Sequence, residues 1–193
     1  MIVLKTIGIL DVQGAVKEHA LSVEACGAKT VLVKHKDELA AVDALVLPGG
    51  ESTTIGKLIR AYGLYEPLQN RIASGMPVFG TCAGMIMLAK RISEQDDAHL
   101  GTMDITVNRN SFGRQRESFE ADLAIEGLSG GLFPAVFIRA PQVQDAGQGV
   151  SVLATYQDRI VAVREGNMLA TSFHPELTDD FRLHQYFIDM INK

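Results

Sequence analysis

Residues Pro77-Val78-Phe79-Gly80-Thr81-Cys82-Ala83-Gly84-Met85 carry an apolar strand straight into Gly-x-Cys-x-Gly and on into a helix. Few chain paths satisfy that order. A strand that turns so sharply into a helix needs glycine where neighbouring backbone comes close, and it projects its central side chain into a cleft from a strained backbone. The pattern is a nucleophile elbow with cysteine in the serine position. It calls for an α/β sheet whose strands open into a cleft at their C-terminal ends.

The rest of the first half supplies such a sheet. Short apolar runs at 6–12, 29–33, 44–47 and 78–80 alternate with helical patterns at 16–26, 53–61, 66–74 and 83–90. Gly27 stands where a left-handed helix cap belongs, and Pro48-Gly49-Gly50 closes the third run. This is βαβ rhythm and predicts a doubly wound parallel sheet. The second half is strand-rich, at 105–107, 119–125, 135–138, 152–156, 160–164 and 169–173, before an amphipathic helix at 180–191. Asp158-Arg159 and Gly166-Asn167 read as hairpin turns, so some of these strands extend the sheet antiparallel. The expected fold is an α/β three-layer sandwich with a central, mostly parallel sheet. No repeat or linker divides the chain, so residues 1–193 are expected to form one domain.

Charge narrows the class of function. The 18 Lys+Arg against 23 Asp+Glu leave a net charge of −5, without a basic run. Nucleic acid and anionic membrane surfaces both require a concentrated basic patch, so neither is an expected partner. Cys26 and Cys82 sit in unlike settings and make no disulfide framework, which predicts a reducing, cytoplasmic environment. The apolar start, MIVLKTIGIL, lacks a basic leader and reaches Asp11 too soon to span a bilayer. It reads as a first strand.

Cys82 falls at a helix N-terminus, where the dipole and free N–H groups favour the thiolate. A thiol acting in acyl transfer needs a base, and the base needs an orienting group. His174 ends an apolar strand and is followed by Pro175-Glu176; in extended chain residues i and i+2 face one side, so Glu176 reaches the imidazole. Leu47-Pro48-Gly49-Gly50-Glu51-Ser52 lies at another strand end. There the Gly50 N–H, with that of Ala83, would form an oxyanion hole, while Ser52 is placed to cap the next helix. No Gly-Lys-Ser/Thr follows these glycines, and no Cys or His pair has ligand spacing, so neither a phosphate loop nor a metal is expected. His19, His35, His99 and His184 read as surface residues. Cys26, on the apolar face of its helix, reads as core.

Gly80-Thr81-Cys82-Ala83-Gly84, His174-Pro175-Glu176 and Pro48-Gly49-Gly50 together resemble the class I (triad) glutamine amidotransferases, which share a flavodoxin-like fold. Within them, Gly14-Ala15-Val16-x-Glu18-His19, Pro48-Gly49-Gly50-Glu51-Ser52-Thr53-Thr54 and Arg109-Asn110-Ser111-Phe112-Gly113-Arg114-Gln115 are similar to the glutaminases that serve pyridoxal 5'-phosphate synthase. The resemblance implies hydrolysis of L-glutamine, with Cys82 as nucleophile, His174 as base and Glu176 as its partner. It further implies glutamine contacts from Gly50, Glu51, Ser52, Arg109, Ile138 and Arg139, no cofactor, and a synthase subunit as the partner that receives ammonia. Two alternatives share parts of this pattern: the glutaminase of imidazole glycerol phosphate synthesis, and the non-hydrolytic Cys-elbow stress proteins. The latter have no need of His174 and Glu176 two residues apart.

Overall fold

The computed structural model describes residues 4–93, 95–109, 111–112 and 118–191. The first half contains β1 (Thr6–Leu10), α1 (Val16–Ala25), β2 (Lys29–Val33), α2 (Lys36–Ala40), β3 (Ala44–Leu47), α3 (Ser52–Ala61), α4 (Tyr65–Ala73), β4 (Val78–Thr81), α5 (Ala83–Leu88) and β5 (Ala89–Ile92). The second contains β6 (Met103–Asn108), β7 (Ser118–Leu123), β8 (Phe133–Ile138), β9 (Gln142–Ala146), β10 (Ser151–Tyr156), β11 (Arg159–Glu165) and β12 (Met168–Thr171). A single 3-10 turn (Pro175–Leu177) and α6 (Arg182–Ile191) complete it.

One sheet runs β2-β1-β3-β4-β12-β11-β9-β6-β5, with β10 paired to β11 beside that path, and β7 and β8 form a separate antiparallel ribbon. The five strands β2-β1-β3-β4-β12 are all parallel. That is the flavodoxin-like order, with β12 in the fifth place, and its topological switch lies between β1 and β3. Beyond β12 the pairings with β11, and those of β11 with β10 and β9, are antiparallel.

Burial on both faces makes three layers. Leu45 and Leu47 of β3 pack toward α2–α5 on one side, while Ala44 and Val46 pack toward α1, α6 and the β7–β8 ribbon on the other. A strand buried on both faces reads as an uninterrupted apolar run. All four residues of β3 are buried.

Several element bounds differ from those the residues suggest. The helix expected at 83–90 stops at Leu88, and β5 begins at once. Met85, Ile86, Met87 and Leu88 are buried without exception, so their apolarity carries no helical period that could mark the end. Neither β9, in which only Val143 is buried, nor the five-residue α2 has enough apolar pattern to announce itself. The β10–β11 turn falls on Gln157 and Asp158, both left-handed at φ 48° and 61°, one residue earlier than expected. Two successive left-handed residues make the turn that matches strand twist.

Candidate active site

The C-terminal ends of β1, β3, β4 and β12 meet at one cavity of about 440 Å³. Gln13 and Ala15 line it after β1, Gly49 to Ser52 after β3, and Cys82 and Ala83 after β4, with His174 beyond β12. Arg109, Ile138 and Arg139 close it from the second half of the chain. Every residue expected to act on glutamine except Glu176 thus borders one space, and Glu176 is buried directly behind His174.

Cys82 occupies the elbow with φ 51° and ψ −103°, a left-handed backbone that disfavours any side chain. Packing holds it there. The Cys82 N–H donates to the Thr171 carbonyl at 2.8 Å, tying the elbow to β12. A Cβ on Gly80 would lie 2.5 Å from the Gly84 carbonyl oxygen, and one on Gly84 would collide with the Leu47 carbonyl. The two flanking glycines are therefore required by close backbone approach. The Cys82 Sγ lies 3.9 Å from the Ile138 carbonyl oxygen, so the β7–β8 ribbon forms the far wall.

The His174 N–H donates to the Val136 carbonyl of the same ribbon at 2.8 Å, and the imidazole Nδ1 lies 2.7 Å from Glu176 Oε1. Contrary to a fully extended segment, Pro175–Leu177 is a 3-10 turn, yet it still brings the carboxylate under the ring. Burial opposes a charge on His174, but Cys82 and Glu176, through hydrogen bonding and charge, outweigh it and raise its pKa to about 10. Burial also opposes ionisation of Glu176, and His19 and His174 together hold it below the usual carboxylate value. Gly49 separates the two reacting side chains: a Cβ there would sit 2.5 Å from His174 Cε1 and 3.4 Å from Cys82 Cβ.

On the opposite wall Glu51, and not Ser52, caps α3. Its carboxylate accepts from the Thr53 and Thr54 N–H groups at 3.0 and 2.7 Å and from the Thr54 hydroxyl at 2.7 Å. The Thr54 hydroxyl in particular, with desolvation working against it and the two N–H groups helping, lowers the Glu51 pKa to about 2. Arg109 Nη2 reaches the same carboxylate at 3.2 Å. Ser52, released from capping, has a buried hydroxyl with no hydrogen-bond partner among the described residues, and it borders the cavity. Ala83 stands at the first position of α5, whose N–H has no intrahelical acceptor. Arg139, exposed at the end of β8, is left-handed at φ 42°.

Sequence reasoning overlooked two pairs of residues. Gln13 and Ala15 brace the oxyanion loop: Gln13 Oε1 accepts from the Glu51 N–H at 2.9 Å, and the Ala15 N–H donates to the Gly49 carbonyl at 3.0 Å. Their position just after β1, beside the switch between β1 and β3, was the available signal. His19 and His184, expected at the surface, are fully buried behind Glu176. Cys26 lies at the end of α1, half-buried at the edge of the core, its thiol 3.7 Å from the Phe181 carbonyl. Of the 109–115 stretch, Arg109, Ser111 and Phe112 are described, and Asn110, Gly113, Arg114 and Gln115 lie outside the described residues.

Comparison with known proteins places this arrangement. Residues 9–193 match the SNO glutamine amidotransferase family. Pyridoxal 5'-phosphate synthase subunit PdxT of Geobacillus kaustophilus (strain HTA426) is 63% identical over 187 residues, covering 97% of this chain and 95% of the relative. The protein of that name in Bacillus licheniformis is 57% identical over 188 residues, with 97% and 95% covered. A crystal structure of a glutamine amidotransferase superposes with a TM-score of 0.92 at 48% identity, covering 97% of this chain and 99% of that one. PurLQS from Thermotoga maritima shares the fold alone, with a TM-score of 0.75 at 16% identity over 97% of this chain and 99% of that one. Sheet order and structural likeness together define a class I glutamine amidotransferase fold. Within that class, the chain belongs to the SNO glutamine amidotransferase family.

Proposed function

We propose that the chain is the glutaminase subunit of a pyridoxal 5'-phosphate synthase, hydrolysing L-glutamine to L-glutamate and delivering ammonia to the synthase subunit. The observation that carries the reading is the series of Cys82, His174 and Glu176, the first two bordering one cavity and Glu176 buried behind His174 at 2.7 Å. The 57–63% identity to PdxT proteins favours this partner over the imidazole glycerol phosphate system. A buried imidazole–carboxylate pair beside the thiol favours hydrolysis over a stress-protein role.

In this reading the Cys82 thiolate attacks the glutamine side-chain amide carbon, and the oxyanion is received by the Gly50 and Ala83 N–H groups. The His174 imidazolium, whose raised pKa keeps its proton at neutral pH, gives that proton to the departing nitrogen as ammonia leaves. A thioester on Cys82 remains, and with the thiolate gone the neutral ring has lost one of its sources of basicity. It then takes a proton from water, which attacks the thioester and releases glutamate. Glu176 orients the ring and stabilises its charge throughout. Glu51, Ser52, Arg109, Ile138 and Arg139 receive the glutamine backbone: carboxylate and ammonium ends need cationic and acidic or carbonyl partners, and this wall offers both. A catalytic thiol must stay reduced, which supports a cytoplasmic enzyme. No helix among the described residues is long and apolar enough to cross a membrane.

The test is ammonia release from glutamine by the chain mixed with the synthase subunit, against Cys82→Ala in the same mixture. Loss in the variant, with an unchanged melting curve, supports the assignment; retained activity rejects it.

A further inference from the structure

Behind the triad a row of buried polar groups continues into the core. Glu176 Oε1 is held by His174, and Glu176 Oε2 has no hydrogen-bond partner among the described residues. The nitrogen facing that oxygen is His19 Nε2, at 3.4 Å. His19 Nε2 also lies 2.9 Å from Thr81 Oγ1, and His19 Nδ1 lies 3.0 Å from His184 Nε2. Beyond that the row ends: His184 Nδ1 is buried without a hydrogen-bond partner among the described residues.

This dead end fixes the protons. A hydrogen on His184 Nδ1 would be a buried donor with nothing to receive it, so the His184 proton belongs on Nε2 and is donated to His19 Nδ1. His19 must then carry its own proton on Nε2, the atom that faces Thr81 and Glu176. Burial lowers the pKa of both rings, so the pair is neutral, and the His19 N–H, hydrogen-bonded to Thr81 Oγ1, holds its dipole 3.4 Å from Glu176 Oε2. Both imidazoles pack against the Phe79 ring, centroids 6.4 and 5.8 Å away, in a pocket that apolar side chains would fill without this cost.

We propose that His19 and His184 are positioning residues: a neutral, directionally locked imidazole pair that holds the Glu176 carboxylate ionised and turned toward His174. The inference rests on the reading of Cys82, His174 and Glu176 as the triad. Among the described residues, the titratable groups facing the pair are Glu18 from α1 and His174 and Glu176 at the 3-10 turn. Removing the His19 N–H makes Glu176 easier to protonate. The acid limb of the glutaminase profile, a property of the coupled set, then moves to higher pH.

The experiment measures kcat and KM for glutamine across pH in the complex with the synthase subunit, for His19→Leu, His19→Gln, His19→Asn and His184→Leu. His19→Leu should lower kcat about tenfold or more, as loss of an orienting partner does at metal sites, with little change in KM. Its acid limb should move up by about half a pH unit or more, since removing a charge-stabilising group shifts a carboxylate on that scale. His184→Leu should move the limb the same way, and the double variant should be no worse than the worse single one. Gln, whose terminal amide reaches the place of Nε2, should restore the limb. Asn, reaching only the place of Nδ1, should not. An unmoved limb in folded Leu variants overturns the proposal, because a packing role lowers activity at every pH alike. If His19→Leu does not fold, Gln and Asn decide, and identical profiles for the two overturn it. Cys82→Ala in the same complex separates the two failures: if it is active, the triad reading itself falls.

Discussion

His174 is asked to be an acid first and a base second, and its surroundings change accordingly. While Cys82 is a thiolate, the imidazolium is supported from both sides and keeps its proton to about pH 10. Ammonia release should therefore persist well into the alkaline range and decline only as pH approaches that value, when the proton for the leaving nitrogen is lost. A rapid-quench measurement of the first ammonia released per site checks this; a decline centred near the ordinary histidine value would refute it. Replacing His174 by Asn should cost at least about 10²- to 10⁴-fold in turnover, the usual worth of acid–base catalysis. Glu176→Gln should cost less, because Glu176 transfers no proton itself. Equal, near-wild-type rates for both would leave Pro175–Leu177 as a mere turn. The charged roles of Cys82, His174 and Glu176 were legible because Cys82 and His174 follow strand ends and Glu176 stands two residues after His174, the spacing that chemistry demands. His19 and His184 were not, since they lie 165 residues apart and only the packing of α1 and α6 behind β4 brings them together.

At the scale of elements, the loop after β1 governs the loop after β3. The Ala15 N–H binds the Gly49 carbonyl at 3.0 Å, and in a trans peptide the Gly50 N–H points the opposite way. The direction of the proposed oxyanion donor is thus set by residues 13–15. Gly14, at φ 106°, lies so close that a Cβ would collide with the Gly49 carbonyl oxygen. Gly14→Ala should displace that carbonyl, swing the Gly50 N–H away and lower kcat about 10²- to 10³-fold, the worth of one oxyanion donor. Gly27→Ala is the control: its φ is also left-handed, at 81°, but nothing lies within 4 Å of the new Cβ. It should lower the melting temperature and leave the activity of the folded protein intact. Similar activity losses in both would assign the effect to backbone strain alone. The parallel strands and their glycine-bearing ends could be anticipated from sequence because full burial makes them apolar and close approach makes them glycine-rich. β9 could not, because an antiparallel strand with one buried residue is specified by its neighbours β6 and β11.

For the whole molecule, the question is what a free glutaminase would accomplish. Ammonia released to water becomes largely ammonium and ceases to be a nucleophile, so uncoupled turnover would consume glutamine to no purpose. Coupling to a docked synthase subunit is the arrangement that avoids this loss. The cavity opens at the C-terminal edge of the sheet, and Leu177, immediately after Glu176, is both part of its lining and 44% exposed. A partner seated on this rim would cover Leu177 and press on the loops 11–15 and 49–52, the segments that orient the Gly50 N–H. A reorientation of that one peptide is worth about 2.7 to 4 kcal/mol in the transition state, enough to switch the enzyme on or off. The isolated chain is therefore expected to hydrolyse glutamine slowly, and the synthase subunit to raise its rate at least about tenfold, well inside what that donor supplies. Leu177→Asp should raise the concentration of synthase subunit needed for half-maximal activation while its melting curve stays that of the parent. Ammonia release titrated with the synthase subunit measures both. Full activity of the chain alone, unaltered by the partner, would refute the coupling and leave a free-standing hydrolase.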